Sequence, residues 1–505
     1  MEGSKIVVVG LGSSGRAAAR LALNRGGEVY GTDLAKDAET AAAGDDLRRL
    51  GARVELGPHR LEEFSGATAV VVSPGIPPDA PVLRDLEEHG ISWISELEFA
   101  FRFFEGPLIA VTGTNGKTTT AALTAHLLRE SGFRVGLGGN IGAGLGPAAS
   151  ELALMEPAPD RYVVEASSFQ LADIEWFRPD VGVVTNLAPD HLDRYPDTAT
   201  YYADKKRIFD NADEGCEWVL NGDDPEVLDL ARGAPGGHHH FSIAGGASAG
   251  DAGNGDDTVR DGPSAFLPDD TLVIRWTGGV EDGASGPRQL TLNRDELPLM
   301  GRHNVANALA AGLAAGLGGG RPAAMEDAFR SFPPLEHRLE PVVEEGGVLW
   351  VNDSKATNVG ATVSAVESLD RPVVLLLGGK DKGEDFRRLR RALGSGGRAG
   401  DPRVRAVVAY GAAGERIAEA LAEAVPLTRV TGTFEEAVEA GRAKARRGDV
   451  LLLSPACSSY DMFESYEARG RRFRELAGAA EKGGGPLVDE ASGDSRGDPS
   501  DEGAT

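Results

Sequence analysis

Cysteine is nearly missing from this chain, with Cys216 and Cys457 the only two in 505 residues. Two thiols cannot build a disulfide framework, which fits a reducing compartment. Basic residues are also short: 52 Lys and Arg stand against 78 Asp and Glu, a formal charge of −26. A field of that sign repels phosphodiester backbones and argues against a nucleic-acid partner. Long apolar runs are absent as well. A run such as VVLLLGG at 373–379 is far short of the roughly 20 residues that cross a bilayer, so no membrane insertion is expected. The opening MEGSKIVVVG enters strand pattern at once, without a signal-peptide pattern. A cytoplasmic protein is expected, and a monomer by default.

What is present is length and alternation. At about 150 residues per domain the chain has room for three. Short β-branched runs alternate with Ala/Leu-rich amphipathic stretches, the pattern of parallel sheets with crossover helices. Gly106–Pro107 and FPPLEHR break this pattern, giving expected domains at 1–105, 106–334 and 335–480. A tail at 481–505 without apolar period is expected to be disordered. From about 233 to 286 the chain turns Gly/Asp/Ser-rich, and part of the excess of Gly (68 in all) sits there. It reads as an enlarged, mobile surface loop with a few edge strands, and the His238–His240 triplet inside it as incidental rather than metal-binding.

The stretch VTGTNGKTTT, 111–120, has the form of a phosphate loop. Its strand should end at Thr112 and its helix start near Lys117, pointing backbone N–H groups and a positive helix end at one place. Gly113 and Gly116 let the backbone approach an anion, Lys117 offers a point charge, and the Thr118 hydroxyl suits Mg²⁺. Two residues separate the glycines where the common loop has four, so a purely structural turn is the competing reading. Mg²⁺ needs further oxygen-rich partners at neighbouring strand ends. Glu165 closes YVVE and His191 follows VGVVT, both where such partners belong. Near the start, GLGSSG with Asp33 about 20 residues on fits a dinucleotide fingerprint. By itself it favours a nicotinamide dehydrogenase; the phosphate loop downstream favours a nucleotide of another kind.

Taken together, TGTNGKTTT, VEASSFQL, NLAPDHLDRY, GRHNVANALAA, LEHRLE and NDSKATN resemble the ATP-dependent Mur ligases, which build the peptide of bacterial cell-wall precursors. The resemblance runs from about residue 5 to 475. It implies an α/β fold of three domains: a Rossmann-like N-terminal domain for the UDP end of the substrate, a central P-loop ATPase-type domain with a mostly parallel sheet, and a Rossmann-like C-terminal domain for the amino acid. Within the family, GLGSSG, SKATNVGAT, GGKDKGEDF and LLLSPACSSYDMFESYEARGRRF look most like the member that joins D-glutamate to UDP-N-acetylmuramoyl-L-alanine through an acyl phosphate.

The same resemblance implies roles for individual residues. Gly113, Thr114, Asn115, Gly116, Lys117, Thr118 and Thr119 would hold ATP, with Asn304 and Asn307 beside them on one helix face. Thr118, Glu165 and His191 would hold Mg²⁺, of which two are implied. A carbamylated lysine, whose anionic oxygens would join these metal ligands at a second Mg²⁺, aligns with Lys205, with Lys206 as the neighbouring alternative. Arg338 and Asp353 would reach ATP and Lys355 the transferred phosphate, in contacts formed on domain closure. Thr357, Lys382, Ser459 and Tyr466 (the last often Phe in the family) would meet D-glutamate, with Cys457 as core beside them. Ser13 and Ser14 would lie at the diphosphate and Asp33 at uracil, with Ser73 in the same pocket and Asn140 at the muramoyl end. The alternatives are another Mur ligase, a folylpolyglutamate synthase-like ligase, a hydride-transfer enzyme, and a nucleotide-binding module without catalysis.

Overall fold

The structure, a computed structural model, describes residues 1–142, 144–191, 194–244, 264–277, 286–394, 403–422 and 424–482. It divides into two compact units, Met1–Leu335 and Glu336–Thr505. The first unit carries two sheets. In the first of these, β1 (Lys5–Val9), β2 (Glu28–Asp33), β3 (Arg53–Leu56), β4 (Ala69–Val72) and β5 (Ile94–Ser95) are all parallel, in the order β3-β2-β1-β4-β5. Strand order reverses between β1 and β4, which is where doubly wound sheets leave a crevice.

The second sheet has nine strands: β6 (Leu108–Thr112), β7 (Val135–Gly139), β8 (Arg161–Glu165), β9 (Val181–Val184), β10 (Glu217–Asn221), β11 (Gly237–Ser242), β12 (Ser264–Phe266), β13 (Thr271–Trp276) and β14 (Arg288–Asn293). Their order is β14-β13-β12-β11-β10-β9-β6-β8-β7, parallel from β12 to β7 and antiparallel from β12 to β14. Runs such as LIAVT and VGVV are buried at every position because helices cover both faces of the sheet.

The second unit holds one sheet of β15 (Glu340–Glu345), β16 (Val348–Asn352), β17 (Val373–Gly378), β18 (Val404–Tyr410), β19 (Leu427–Arg429) and β20 (Val450–Leu453). Its order is β15-β16-β20-β17-β18-β19, with only the edge strand β15 antiparallel. The α/β class expected from the alternation is therefore what the chain forms. Among the described residues no helix is long and apolar enough to cross a membrane.

The Gly/Asp-rich stretch corrects one expectation. Its described parts are not a loop with edge strands, because β11, β12 and β13 are interior strands of the nine-stranded sheet. The triplet His238–His240 lies in β11, paired with Trp218, Val219 and Leu220 of β10. His239 and Phe241 point into the protein, and His239 Nε2 meets Glu217 Oε2 at 2.5 Å. Alternation was concealed because the inward position two before Phe241 is a histidine, whose Nε2 finds its partner on a neighbouring strand. Residues 245–263 and 278–285 of this stretch, and 483–505 of the tail, lie outside the described residues.

The two sheets of the first unit are tied together by a buried carboxylate. Ser95 caps the helix Glu96–Phe101 by accepting the Glu98 N–H at 3.2 Å. Glu98 Oε2 then accepts the N–H groups of Glu175, Trp176 and Phe177 at 3.1, 3.0 and 2.8 Å, and Oε1 takes Arg102 Nε at 2.9 Å. The Ser95 N–H also reaches Asp173 O at 2.8 Å. Glu98→Ala strands three backbone donors at once. It should cost roughly 3 kcal/mol of first-unit stability in denaturant unfolding; a loss well under about 1 kcal/mol would mean that water replaces the carboxylate there.

Candidate active site

The loop at the end of β6 is shaped by two glycines that nothing larger could replace. Gly113 has φ +134° and Gly116 φ +83°, both in the region that favours glycine. A Cβ on Gly113 would collide with Thr185 Oγ1, and one on Gly116 with Asn307 Oδ1. The helix Lys117–Glu130 starts directly after Gly116, so its first N–H groups and positive end face the loop. Thr119, in its first turn, is buried. The segment following β9 braces the loop from the other side. Asn186 Oδ1 accepts the Asn115 N–H at 3.0 Å, and Asn186 Nδ2 and Thr185 Oγ1 donate to Asn115 O at 2.9 and 2.6 Å. Thr114 Oγ1 is fixed between Ala188 N and O at 3.0 and 3.1 Å.

Two lysines converge on one carbonyl. Lys117 Nζ donates to Gly113 O at 3.0 Å and to Thr114 O at 2.9 Å, while Lys205 Nζ reaches the same Gly113 O at 2.9 Å. Lys205 is 1% exposed and stands 4.6 Å from the Tyr201 ring centroid. Burial, and then the charge of Lys117, hold its pKa well below that of an ordinary lysine. Lys206 is exposed, so the two lysines left open in the sequence now differ plainly.

Thr118 Oγ1 donates to Glu165 Oε2 at 2.6 Å, and both residues are buried. His191, with φ +56°, sets its ring against Phe169 and Tyr201 at 5.3 and 5.9 Å between centroids. Tyr201 thus touches both His191 and Lys205. Among the described residues no three His, Cys, Asp or Glu side chains cluster closely enough to hold an ion by themselves. That suits Mg²⁺ at a nucleotide, which takes one or two carboxylates and fills its shell from phosphate and water. The Thr118–Glu165 oxygen pair beside a glycine-shaped anion cradle fits such an ion.

Asn304 and Asn307 share one face of the helix Arg302–Leu317. Asn307 Nδ2 donates to Asn304 Oδ1 at 3.0 Å, and the Asn307 amide covers Gly116. Asn140 is exposed just after β7, its N–H bonded to Glu165 O at 2.9 Å. In the first sheet, Ser13 and Ser14 open the helix Ser13–Asn24. Asp33 ends β2 and accepts the N–H groups of Leu11 and Ala35 at 2.7 and 2.8 Å. The Ser73 N–H bonds Val9 O at 2.9 Å, at the point where strand order reverses. All four lie at the carboxyl edge of that sheet.

In the second unit, the remaining candidates also collect at the carboxyl ends of strands. Asp353 follows β16 and accepts Ser454 Oγ at 2.8 Å and the Leu339 N–H at 3.2 Å; burial pushes its pKa up to about 7. Arg338, half-buried one residue before Leu339, pulls that pKa back in part. Lys355 Nζ lies 3.9 Å from the Tyr466 ring centroid, a cation–π contact. Thr357 is half-buried two residues further on, Ser459 is buried after β20, and Lys382 is exposed in the loop after β17. Cys457 is fully buried, and burial pushes its thiol up to about 12, so it offers no thiolate at neutral pH.

Four residues at these places were not singled out from the sequence. Thr185, Asn186 and Tyr201 brace the loop and Lys205; Tyr201 stands four before Lys205 on one helix, a spacing that signals contact. Arg469 is fully buried and donates to Ser354 Oγ and O at 2.9 and 2.8 Å and twice to Cys457 O at 3.2 Å, joining the segments after β16 and β20. Nothing in YEARGRRF marks it from the other arginines.

Asp353 gives a pH signature. Its folded pKa is raised to about 7, so between roughly pH 4 and 7 the folded state binds more protons than the unfolded one, and stability falls as pH rises through that window. Its share of the loss should reach at most roughly 4 kcal/mol and should be missing from Asp353→Asn, which keeps only the share of other raised carboxylates such as Glu96, in denaturant unfolding of the full chain at pH 5 and pH 8. An equal pH dependence in both proteins would reject this assignment.

Residues 4–95 match the model of the Mur ligase MurD-like N-terminal domain, 111–315 the Mur ligase middle domain, and 337–457 the Mur ligase glutamate ligase domain. The UDP-N-acetylmuramoylalanine–D-glutamate ligase of Acidobacterium capsulatum is 41% identical, covering 94% of this chain and 96% of its own. The enzyme of the same name from Salinibacter ruber is 40% identical over 94% and 97%, and that from Myxococcus xanthus 38% over 95% and 99%. Among solved structures, a pseudomurein peptide ligase type C of Methanothermus fervidus and a UDP-N-acetylmuramate–alanine ligase of Thermotoga maritima each superpose with a TM-score of 0.54. Each is 19% identical and covers 94% of this chain and 99% of its own, a likeness of fold.

Proposed function

The chain belongs to the Mur ligase family, and on that premise we infer that it is the ATP-dependent ligase that adds D-glutamate to UDP-N-acetylmuramoyl-L-alanine in peptidoglycan precursor synthesis. The observation that carries this is the near-full-length identity to ligases of that name, from the first sheet to the last. Its cofactors are ATP and Mg²⁺.

The chemistry explains why a phosphate loop is needed. A carboxylate is a poor electrophile, because its charge repels an amine and oxide does not leave. A substrate carboxylate oxygen therefore bonds to the γ-phosphorus of ATP and ADP departs. The D-glutamate amine then adds to the acyl phosphate carbonyl, loses its proton, and expels orthophosphate that carries the former carboxylate oxygen. Catalysis of this kind is positioning and charge neutralisation.

We assign the parts as follows. The N–H groups of 113–119 and the Lys117 ammonium bind the ATP phosphates, with Asn304 and Asn307 holding the loop against them. Thr118 and Glu165 would hold Mg²⁺, joined by His191; the ion supplies charge for the phosphoryl oxygens. Lys205 carries a carbamate: its buried site favours the neutral amine that can add to CO₂, and the anion formed would relieve the repulsion from Lys117. Arg338, Asp353 and Lys355 serve ATP and the moving phosphate. Thr357, Lys382, Ser459 and Tyr466 receive D-glutamate. Ser13, Ser14, Asp33, Ser73 and Asn140 receive the UDP substrate. The enzyme works as a monomer in the cytoplasm.

Phosphate release should require ATP, UDP-N-acetylmuramoyl-L-alanine and D-glutamate together. Oxygen-18 placed in the substrate carboxylate should appear in the orthophosphate. Equal turnover with L-glutamate, L-lysine or meso-diaminopimelate would reject the assignment. For the carbamate, Lys205→Ala should lose at least about a hundredfold in kcat and recover part of it with added acetate. Full activity without acetate would show that another group does this work.

A further inference from the structure

The loop that carries Lys382 is built around its neighbour, Asp381. Lys380, one residue earlier, is pinned to the segment after β20: its N–H reaches Ser458 O at 2.8 Å, and its carbonyl accepts Ser458 N–H and Oγ at 3.1 and 2.8 Å. Asp381 Oδ1 accepts the N–H groups of Gly383 and Glu384 at 2.9 and 3.0 Å, closing a turn with Lys382 at its tip. The other oxygen, Oδ2, pairs with Arg416 Nη1 from the helix Gly414–Leu421. Arg416 Nη2 also lies 3.4 Å from Glu384 O, and its guanidinium lies 5.7 Å from the Phe386 ring centroid. Glu384 Oε2 lies 3.4 Å from the Val359 N–H, two residues past Thr357. The Asp381 side chain is 11% exposed and that of Arg416 55%.

An Asp next to a substrate-binding lysine is a hazard, because its carboxylate resembles the ligand's. Lys382 is exposed on a flexible stem and would be drawn to an uncompensated Asp381. We propose that Arg416 is a positioning residue for the incoming amino acid: it occupies Asp381 and locks the turn, leaving the Lys382 ammonium for a substrate carboxylate. This rests on the D-glutamate reading above.

Steady-state kinetics of the full chain tests it. Arg416→Gln should raise KM for D-glutamate about tenfold while leaving kcat and the KM values for ATP and the UDP substrate unchanged. Arg416→Lys should recover most of the loss. The double variant Arg416→Gln with Asp381→Asn should also recover it, since Asn keeps the turn acceptor and removes the competing charge. Asp381→Ala, which loses the turn, should raise the same KM. An unchanged D-glutamate KM in Arg416→Gln, a parallel rise in all three KM values, or no recovery in the double variant would overturn the proposal. Lack of D-glutamate-dependent turnover in the unaltered chain would instead overturn the ligase reading, and this proposal with it.

Discussion

One carbonyl oxygen organises the first unit's chemistry. Gly113 O accepts from both Lys117 and Lys205, placing two amines around a single acceptor in a site from which water is largely excluded. Two ammonium groups so placed repel strongly at low effective dielectric. The buried partner yields first, so Lys205 is biased to the neutral amine, while Lys117 is only half-buried. Both depend on the backbone at Gly113, where only glycine can sit against Thr185.

Two other buried charges, Glu98 and Arg469, each have several partners of the right kind. Glu98 is surrounded by N–H donors and joins two sheets of the first unit. In the second unit Arg469 is surrounded by oxygens and joins two strand-end segments. Both are expensive to desolvate and repay that only because most of their partners are fixed backbone groups, joined by the Arg102 side chain at Glu98 and the Ser354 hydroxyl at Arg469. Asp353 is different. Burial pushes its pKa up to about 7, the cost of desolvating a carboxylate that has one hydroxyl and one N–H for support. Such a cost is common where a group serves a ligand rather than the fold.

The legible features were those with short-range logic. The boundary between Thr112 and Lys117 followed from a β-branched run, two glycines and a helix-forming stretch, and the strand ends and the helix starts there. Asn304 and Asn307 share a face because three residues is nearly one helical turn. The β11 strand escaped notice since its inward positions include His239, whose partner Glu217 is 22 residues away. Arg469 escaped for a related reason: a charged residue on a polar helix pattern reads as exposed, and its acceptors come from distant strand ends.

By itself the sequence determined the α/β alternation, the glycine-shaped phosphate loop, the set of strand-end residues and the family to which they belong, because all are carried by spacing along the chain. Only the tertiary structure buried Lys205 while leaving Lys206 exposed, tied Glu98 to the segment before β9, and set Arg416 over Asp381. Those outcomes depend on which distant groups become neighbours once water is removed. Burial and charge pairing across long sequence separations have no local signature.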